Sequence, residues 1–307
     1  MRSLFNKVLL EIAEKNDRIY MVLADIGYGE IEGFAERFPD RFFNVGVAEQ
    51  NMTGVACGVA MEGNIAVTYS IANFPTLRCL EQIRNDVCYH KANVKIVIIG
   101  GGLAYGALGV SHQATEDLAI MRALPDMVVL APADFSEAEA AVHAMIAHDG
   151  PVYYRCGYKK EPALHDGPID FKIGRAIQVR DGGDVTLIGT GTITYRAFEA
   201  AGILEAQGIR ARVLSMHTVK PLDREAVLAA ARETRAVVTV EEHNVLGGLG
   251  GAVAEVLAEA GAGVPFLRVG LPDSYVHLVG SHNWLLEHYG FAPQAIAASV
   301  RQVLEGR

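Results

Sequence analysis

The stretch NVGVAEQNMTGVACGVA, residues 44–60, decides the fold of this chain. It places one carboxylate, Glu49, where a segment typical of a buried strand, residues 42–45, meets a helix of small residues. Gly54 and Gly58 are four residues apart, so they share one helix face and let another backbone approach closely. Glu49 can therefore be held away from bulk water. The alternative is an N-terminal glutamate that only complements the helix dipole.

Length and composition indicate two domains with a large core. The chain has 307 residues, of which 50% are hydrophobic, and this length is about twice that of a typical single domain. Its net charge is −9 and its basic residues are scattered, which argues against nucleic-acid binding. The cysteines have no metal-ligand spacing, so we expect buried, reduced thiols. They are Cys57, Cys79, Cys88 and Cys156.

The N-terminal segment has the pattern of an amphipathic helix. Its apolar residues at positions 4, 8, 9 and 12 recur at helical spacing, and Glu11 and Glu14 interrupt them. This segment is not a signal-peptide core, and no apolar run approaches the roughly 20 residues of a membrane span. We expect a cytoplasmic protein without a membrane anchor.

Short apolar runs alternate with helical patterns along the chain, which predicts an α/β fold with parallel sheets. Several runs are continuously apolar, as is typical of strands that are covered on both faces. Asp134 and Glu137 form a capping box that predicts a helix over residues 135–148. Strands in the first half are predicted at residues 19–24, 65–69, 94–99, 127–130 and 152–154.

A connection between two domains is predicted at residues 161–183, where the periodicity is lost and Gly and Pro accumulate. The domains would then be residues 1–160 and 184–307. The second half repeats the alternation, with helices after Thr194, Asp223 and Gly250. Its strands are predicted near residues 185–189, 211–215, 236–240 and 266–269.

The run that contains Glu49 is similar to the cofactor-activating motif of the transketolase family, thiamine-diphosphate enzymes with a Glu in a VG-A-EQNM context. Further motifs follow in the family's order and spacing, so the resemblance covers nearly the whole chain. They are EQIR at 81–84, SHQ at 111–113 with ED at 116–117, RALP at 122–125, APAD at 131–134, GPVYYR at 150–155, VEEH at 240–243 and GGLG at 247–250.

One family element is missing from the sequence. Relatives hold the cofactor diphosphate through Mg²⁺ with a Gly-Asp-Gly and a later Asn, and Mg²⁺ needs oxygen ligands. Residues 181–184 read Asp-Gly-Gly-Asp without that Asn, which is more typical of a turn. The chain thus resembles only a pyrimidine-binding domain followed by a transketolase C-terminal domain. The resemblance implies a partner subunit that binds Mg²⁺ (or Ca²⁺) and the diphosphate, an α2β2 assembly, and no activity of this chain alone.

The resemblance also implies cofactor-binding residues. Glu49 would donate a hydrogen bond to N1′ of the aminopyrimidine from a desolvated pocket. Phe74 would stack on the ring, Ile71 would form an apolar wall, and Val47 would face the cofactor. Asp25, at the end of the first strand, matches an acidic position near the cofactor. A core Phe, a buried Val and an Asp cap are the ordinary alternatives for Phe74, Val47 and Asp25.

The substrate residues depart from the family pattern. His112 matches a His that reaches the reacting ketose, with a structural His at a helix start as the alternative. Arg155 matches an Arg that contacts substrate phosphate, with a structural salt bridge as the alternative. Leu108 replaces an Asp that reads the acceptor hydroxyl, glycines at 100–102 replace a phosphate-binding His, and Gly29 replaces a Ser. We therefore expect an atypical substrate, such as a modified, shorter or unphosphorylated sugar.

Three other functions remain open from the sequence. The chain could be the β subunit of a 2-oxo acid dehydrogenase E1 component, which has the same layout but lacks the EQNM and SHQ strings. It could belong to a carboligase similar to 1-deoxyxylulose-5-phosphate synthase, which uses pyruvate as donor. A non-catalytic binding or regulatory subunit is the third alternative, and the presence of both Glu49 and His112 argues against it.

Overall fold

The computed structural model describes residues 1–27, 29–158 and 162–306. They form a seven-stranded sheet of order β10-β5-β6-β4-β3-β1-β2 and a five-stranded sheet of order β12-β11-β8-β9-β7. Strands of the first half are β1 Ile19–Leu23, β2 Phe42–Asn44, β3 Ile65–Ile71, β4 Val94–Ile99, β5 Val128–Leu130 and β6 Val152–Cys156. Those of the second half are β7 Ile177–Arg180, β8 Val185–Thr190, β9 Ala211–Ser215, β10 Thr218–Lys220, β11 Val237–Asn244 and β12 Phe266–Leu271.

Helices flank both sheets. Those of the first half are α1 Arg2–Ala13, α2 Glu32–Arg37, α3 Glu49–Met61, α4 Leu80–Gln82 with a π-helical continuation Ile83–Cys88, α5 Asp117–Ala123 and α6 Phe135–Ala147. Those of the second half are α7 Thr194–Glu205, α8 Arg224–Glu233, α9 Leu249–Glu259, α10 His282–His288 and α11 Pro293–Leu304. Every pairing is parallel except β10 with β5 and β7 with β9. The expected α/β fold of two mostly parallel sheets is confirmed.

Side chains along the central strands point alternately to the two faces of the first sheet, so each face has its own hydrophobic core. Strands β3, β4 and β6 are almost entirely buried, because helices cover both faces. Helices α1 and α6 pack on one face, and α1 buries Phe5, Val8, Leu9 and Ala13, whereas Leu4 and Ile12 of the predicted apolar stripe are only half-buried. Helices α3 and α5 pack on the other face. The four cysteines are all buried.

The capped helix is confirmed, with one difference in its hydrogen bonds. Helix α6 begins at Phe135, and Asp134 Oδ1 accepts from the N–H of Glu137 at 3.0 Å. The Glu137 carboxylate accepts from the N–H of Ala133 at 2.7 Å. The reciprocal bond of the capping box therefore reaches one residue further back than the usual pattern.

Two expectations are wrong at sheet edges. Residues 42–45 are not a buried strand, because β2 is the last strand of its sheet and Phe43 is 39% exposed. Residues 177–180 are not linker, because β7 pairs antiparallel with β9 at the edge of the second sheet. Edge strands have only one neighbour, so their sequences need no continuous apolar run.

Strand β10 joins the two halves, which the sequence does not predict. It follows β9 in the chain but pairs with β5 of the first sheet. The predicted boundary at residues 160 and 161 lies outside the described residues, so the exact limits of the domains stay a prediction. No helix in the described parts of the chain combines the length and apolarity needed to cross a bilayer.

Candidate active site

The candidate site lies where the parallel strands of the first sheet end. In such sheets the loops after the carboxyl ends of the strands form the ligand crevice. Asp25 follows β1, Ile71 ends β3, and Gly100 follows β4. Strands β1, β3 and β4 are neighbours, so their loops meet at one edge.

Glu49 is the first residue of α3 and its side chain is buried. It is 4% exposed because α3 packs on the sheet through Met52, Ala56 and Ala60. Its Oε2 accepts a hydrogen bond from Arg78 Nη1 at 2.7 Å. Its Oε1 has no hydrogen-bond partner among the residues that the structure describes. One carboxylate oxygen is therefore paired and the other is available to a ligand.

The contact between Glu49 and Arg78 does not follow from the sequence alone. The Arg78 side chain is 50% exposed, and its Cζ lies 5.0 Å from the centre of the Phe74 ring. Phe74 is half-buried. The guanidinium therefore contacts both a buried carboxylate and an aromatic face. Its sequence signal is an arginine four residues after Phe74 and ahead of the EQIR motif.

His112 also lies beside Phe74, but it belongs to a different loop. Its ring centre lies 5.2 Å from that of Phe74, edge to face, and Ser111 Oγ lies 3.0 Å from its Nδ1. Asn73 Nδ2 donates to the carbonyl oxygens of Val110 at 3.2 Å and of Ser111 at 3.3 Å. The backbones of Gly102 and Ala114 close the base of this loop with two hydrogen bonds. The fold thus brings Glu49, Phe74 and His112 together.

Ile71 lines a neighbouring cavity of about 230 Å³ with Tyr69 and Tyr105. Burial raises the pKa of Tyr105 to about 12 and raises the pKa of Tyr69 above its ordinary value. Both phenols are therefore neutral near pH 7. Ile71 lines this cavity, and its role as an apolar wall of the cofactor site stays a prediction.

Asp25 lies at the junction of β1 and β2. It has a left-handed backbone with φ 55°, and its Oδ1 accepts from Asn44 Nδ2 at 3.1 Å. Asn44 Oδ1 accepts in turn from the N–H groups of Asp25 and Gly46, each at 3.0 Å. These bonds fix the turn that leads to Glu49. A structural cap of this kind is the alternative that the sequence leaves open for Asp25.

Two predicted residues face solvent in this chain. Val47 is 76% exposed and Leu108 is 55% exposed. Gly54 and Gly58 are also exposed, and an added Cβ at either would meet no atom within 4 Å. The glycine face of α3 is therefore uncovered in the single chain.

Arg155 is buried in an ion pair. It is 7% exposed, and its Nε and Nη2 donate to Asp117 at 2.8 and 3.1 Å. Its Nη2 also donates to the carbonyl oxygens of Ala114 at 3.0 Å and of Glu242 at 3.1 Å. A Cβ at Gly101 would lie 2.1 Å from Arg155 Nε, so that glycine makes room for the guanidinium. The geometry favours the structural salt bridge over a phosphate contact.

The second half of the chain supports the loop that contains His112. Glu242 Oε1 accepts from the N–H of Leu103 at 2.5 Å and lies 2.8 Å from His282 Nε2. Arg122, on α5, forms two hydrogen bonds with Glu255 at 2.8 and 2.7 Å. These contacts do not follow from the sequence, because their partners are between 40 and 139 residues apart.

Family models match the chain over almost its whole length. Residues 1–158 match the pyrimidine binding domain of transketolase, and residues 174–296 match the transketolase C-terminal domain. This chain belongs to the transketolase family. The resemblance inferred from the motifs is confirmed.

Three similar proteins locate the chain within the transketolase family. A solved structure of a split gene transketolase in an inactive beta4 tetramer has 43% identity and a TM-score of 0.89, over 99% of this chain and 97% of that one. A 6-deoxy-6-sulfo-D-fructose transketolase subunit of Clostridium sp. (strain MSTE9) is 40% identical over 99% of this chain and 94% of its own length. A 1-deoxy-D-xylulose-5-phosphate synthase of Syntrophotalea carbinolica is 37% identical over 98% of this chain and 48% of its own length.

Transketolase membership implies thiamine diphosphate, and the residues present fit its aminopyrimidine ring. Glu49 offers a buried carboxylate with one unpaired oxygen, and Phe74 offers an aromatic face beside it. In the described part of the chain, no three His, Cys, Asp or Glu side chains are grouped as a metal site.

Proposed function

We propose that this chain is the pyrimidine-binding subunit of a two-subunit, thiamine-diphosphate-dependent transketolase-like enzyme of the cytoplasm. The enzyme would transfer a two-carbon ketol unit from a ketose to an aldehyde. One observation supports this most strongly: the buried Glu49 carboxylate has a free oxygen and contacts a planar cation that also lies over Phe74. The planar, nitrogen-rich aminopyrimidine ring likewise needs a carboxylate at its edge and an aromatic face to stack on.

When bound, the cofactor supplies the nucleophilic carbon and the electron sink for ketol transfer. Glu49 holds a proton at N1′ of the ring, in a place from which α3 and the sheet exclude water. Phe74 orients the ring by stacking. His112, held edge-on to Phe74, bonds a substrate hydroxyl or moves its proton. Glu49 begins α3, whereas Phe74 and His112 lie on two different loops, so the fold alone determines their spacing.

The partner subunit would bind Mg²⁺ and the diphosphate and cover the exposed side of α3. Val47 is exposed two residues before Glu49, and Gly54 and Gly58 lie further along the helix on an uncovered face. A surface of small residues beside a half-formed pocket suits close packing of another chain. Two copies of this chain and two of the partner would form an α2β2 assembly.

The substrate would be an atypical sugar. Leu108 cannot accept a hydrogen bond from a hydroxyl, and the Arg155 guanidinium is occupied by Asp117. A polar substrate group left without a partner in a pocket costs on the order of 1–3 kcal/mol. The Clostridium relative is named for a sulfo-sugar, which supports a modified ketose as donor for this chain too.

The test is reconstitution with a subunit that contains the Gly-Asp-Gly and Asn motif. Coupled assays across ketose donors and aldehyde acceptors should give turnover that Glu49→Gln abolishes. Glu62→Gln, an exposed carboxylate just after the same helix, is the matched control and should leave turnover unchanged. Full activity on xylulose 5-phosphate and ribose 5-phosphate would contradict the atypical substrate.

The same assay separates the other functions. Release of CO₂ from pyruvate with carbon–carbon bond formation would indicate chemistry of the 1-deoxy-D-xylulose-5-phosphate synthase type, which the Syntrophotalea relative supports. Pyruvate decarboxylation without ketol transfer would indicate a 2-oxo acid dehydrogenase component. Turnover that Glu49→Gln does not change would mean that this chain only binds or regulates its partner.

A further inference from the structure

Arg78 contacts the two groups that an aminopyrimidine ring needs, one oxygen of the Glu49 carboxylate and the Phe74 ring. Its Nη1 donates to Glu49 Oε2 at 2.7 Å, and its Cζ lies 5.0 Å from the centre of the Phe74 ring. A guanidinium is planar, donates hydrogen bonds from its edge and stacks on aromatic faces. Its edge therefore contacts the carboxylate while the group lies over the aromatic ring.

We propose that Arg78 takes the place of the pyrimidine ring in the uncombined chain, and that cofactor binding displaces it. This inference rests on the proposed function. Arg78 is thus a positioning residue: it keeps Glu49 in place before assembly, and it competes with the cofactor for the same carboxylate.

Burial explains why the empty chain needs such a group. The Glu49 side chain is 5% exposed, and a buried carboxylate without a partner is strongly unfavourable. Thr53 does not supply a partner, because its Oγ1 donates to the backbone oxygen of Glu49 and not to the carboxylate. Glu49 is the only hydrogen-bond acceptor of the Arg78 side chain among the residues that the structure describes.

Exposure explains why displacement is feasible. The Arg78 side chain is 50% exposed, so its guanidinium can turn into water on its flexible stem and remain hydrated. Ion pairs with one exposed partner are weak compared with fully buried pairs. Arg155 is the contrasting case, since its guanidinium is 7% exposed and binds four acceptor atoms.

The test measures cofactor affinity directly. Thiamine diphosphate with Mg²⁺ is titrated calorimetrically into the reconstituted complex that contains wild type, Arg78→Gln or Arg78→Ala. Both variants should bind the cofactor more tightly, by about 2- to 5-fold, because the competing group is gone. The thermal midpoint of the uncombined chain should fall in both variants, because Glu49 then lacks its partner.

Arg84→Ala is the matched control. Arg84 lies on the π-helical continuation of α4, is exposed, and its side chain donates only to the neighbouring Asn85. This variant should change neither the affinity nor the thermal midpoint. A merely structural Arg78 would lower the midpoint of the free chain and leave the dissociation constant unchanged.

Two results would be decisive against the displacement. Unchanged or weaker cofactor binding in both Arg78 variants would mean that the guanidinium stays in the loaded site. A wild-type complex that binds no cofactor would instead contradict the proposed function itself, so the two failures are distinguishable. Arg78→Gln keeps a polar side chain and more of its length than Arg78→Ala, so a second variant is available if Arg78→Ala does not fold.

Discussion

Arg155 donates two hydrogen bonds to Asp117, from Nε at 2.8 Å and from Nη2 at 3.1 Å, and both side chains are almost fully buried. Tyr153 adds a third bond to the same carboxylate at 2.7 Å. Because Arg155 also bonds the carbonyl oxygens of Ala114 and Glu242, this pair connects the loop of His112 with β11. The pair is part of the scaffold of the site.

Loss of one charge from this pair should be strongly destabilising. Asp117→Asn leaves a buried guanidinium without a counter-charge, and we expect the free energy of unfolding to fall by about 3–5 kcal/mol in urea denaturation. Glu259→Gln is the control, because its pair with Arg224 is exposed on both sides and is worth about 0–1 kcal/mol. Equal effects of the two variants would show that the Arg155 pair is not structural.

Replacement of His112 should reduce turnover and spare cofactor binding. His112→Asn removes a group placed 5.2 Å from Phe74, and general acid–base groups contribute about 10²- to 10⁴-fold. The measurement is kcat of the reconstituted complex together with the cofactor dissociation constant. His90→Asn, at an exposed position, should behave as wild type. A kcat of wild-type size in His112→Asn would remove this residue from the mechanism.

The glycine face of α3 should control assembly. Gly54→Leu and Gly58→Leu add bulk where the single chain has open space, so the free chain should gain up to about 1 kcal/mol from helix propensity. Association with the partner subunit should be lost in analytical ultracentrifugation, because the helices can no longer approach. Gly202→Leu, an exposed glycine inside α7, is the control for helix propensity alone. Normal assembly of both α3 variants would contradict an interface at this face.

Stability should rise with pH because of Lys95. This side chain is 0% exposed and donates to the carbonyl oxygens of His148 and Gly150, each at 2.7 Å. Burial lowers the pKa of Lys95 from 10.5 to about 7 in the folded chain. Between these values the unfolded chain binds the additional proton, so the free energy of unfolding increases as pH rises.

The effect is measured against a variant that lacks the amine. Relative to Lys95→Met, wild type should gain about 1 kcal/mol per pH unit between pH 8 and 10 in urea denaturation, and the gain should disappear below pH 7. Lys172→Met, which removes an exposed lysine, should show no such trend. Parallel pH profiles of wild type and Lys95→Met would mean that Lys95 is charged in the folded chain.

The sequence predicted the elements that local patterns specify. The start of α3 at Glu49, the capped helix α6 and the strands β4 and β9 agree with the prediction within one residue. Continuous apolar runs identify central strands, because burial on both faces leaves little choice of residue. The strands β2 and β7 were not predicted correctly. Both lie at the edge of a sheet, where a strand has only one neighbouring strand and needs no continuous apolar run.

The sequence by itself determined the family, the α/β fold and the place of Glu49 at the start of a helix of small residues, because these follow from local periodicity and motif spacing. Only the tertiary structure decided which side chains meet: Arg78 with Glu49, His112 with Phe74, and Arg155 with Asp117. Such contacts depend on how loops from different strands approach one another in space. Arg155 is buried and Arg78 is half-exposed, so the two arginines have opposite roles. The local sequence does not reveal this difference in burial.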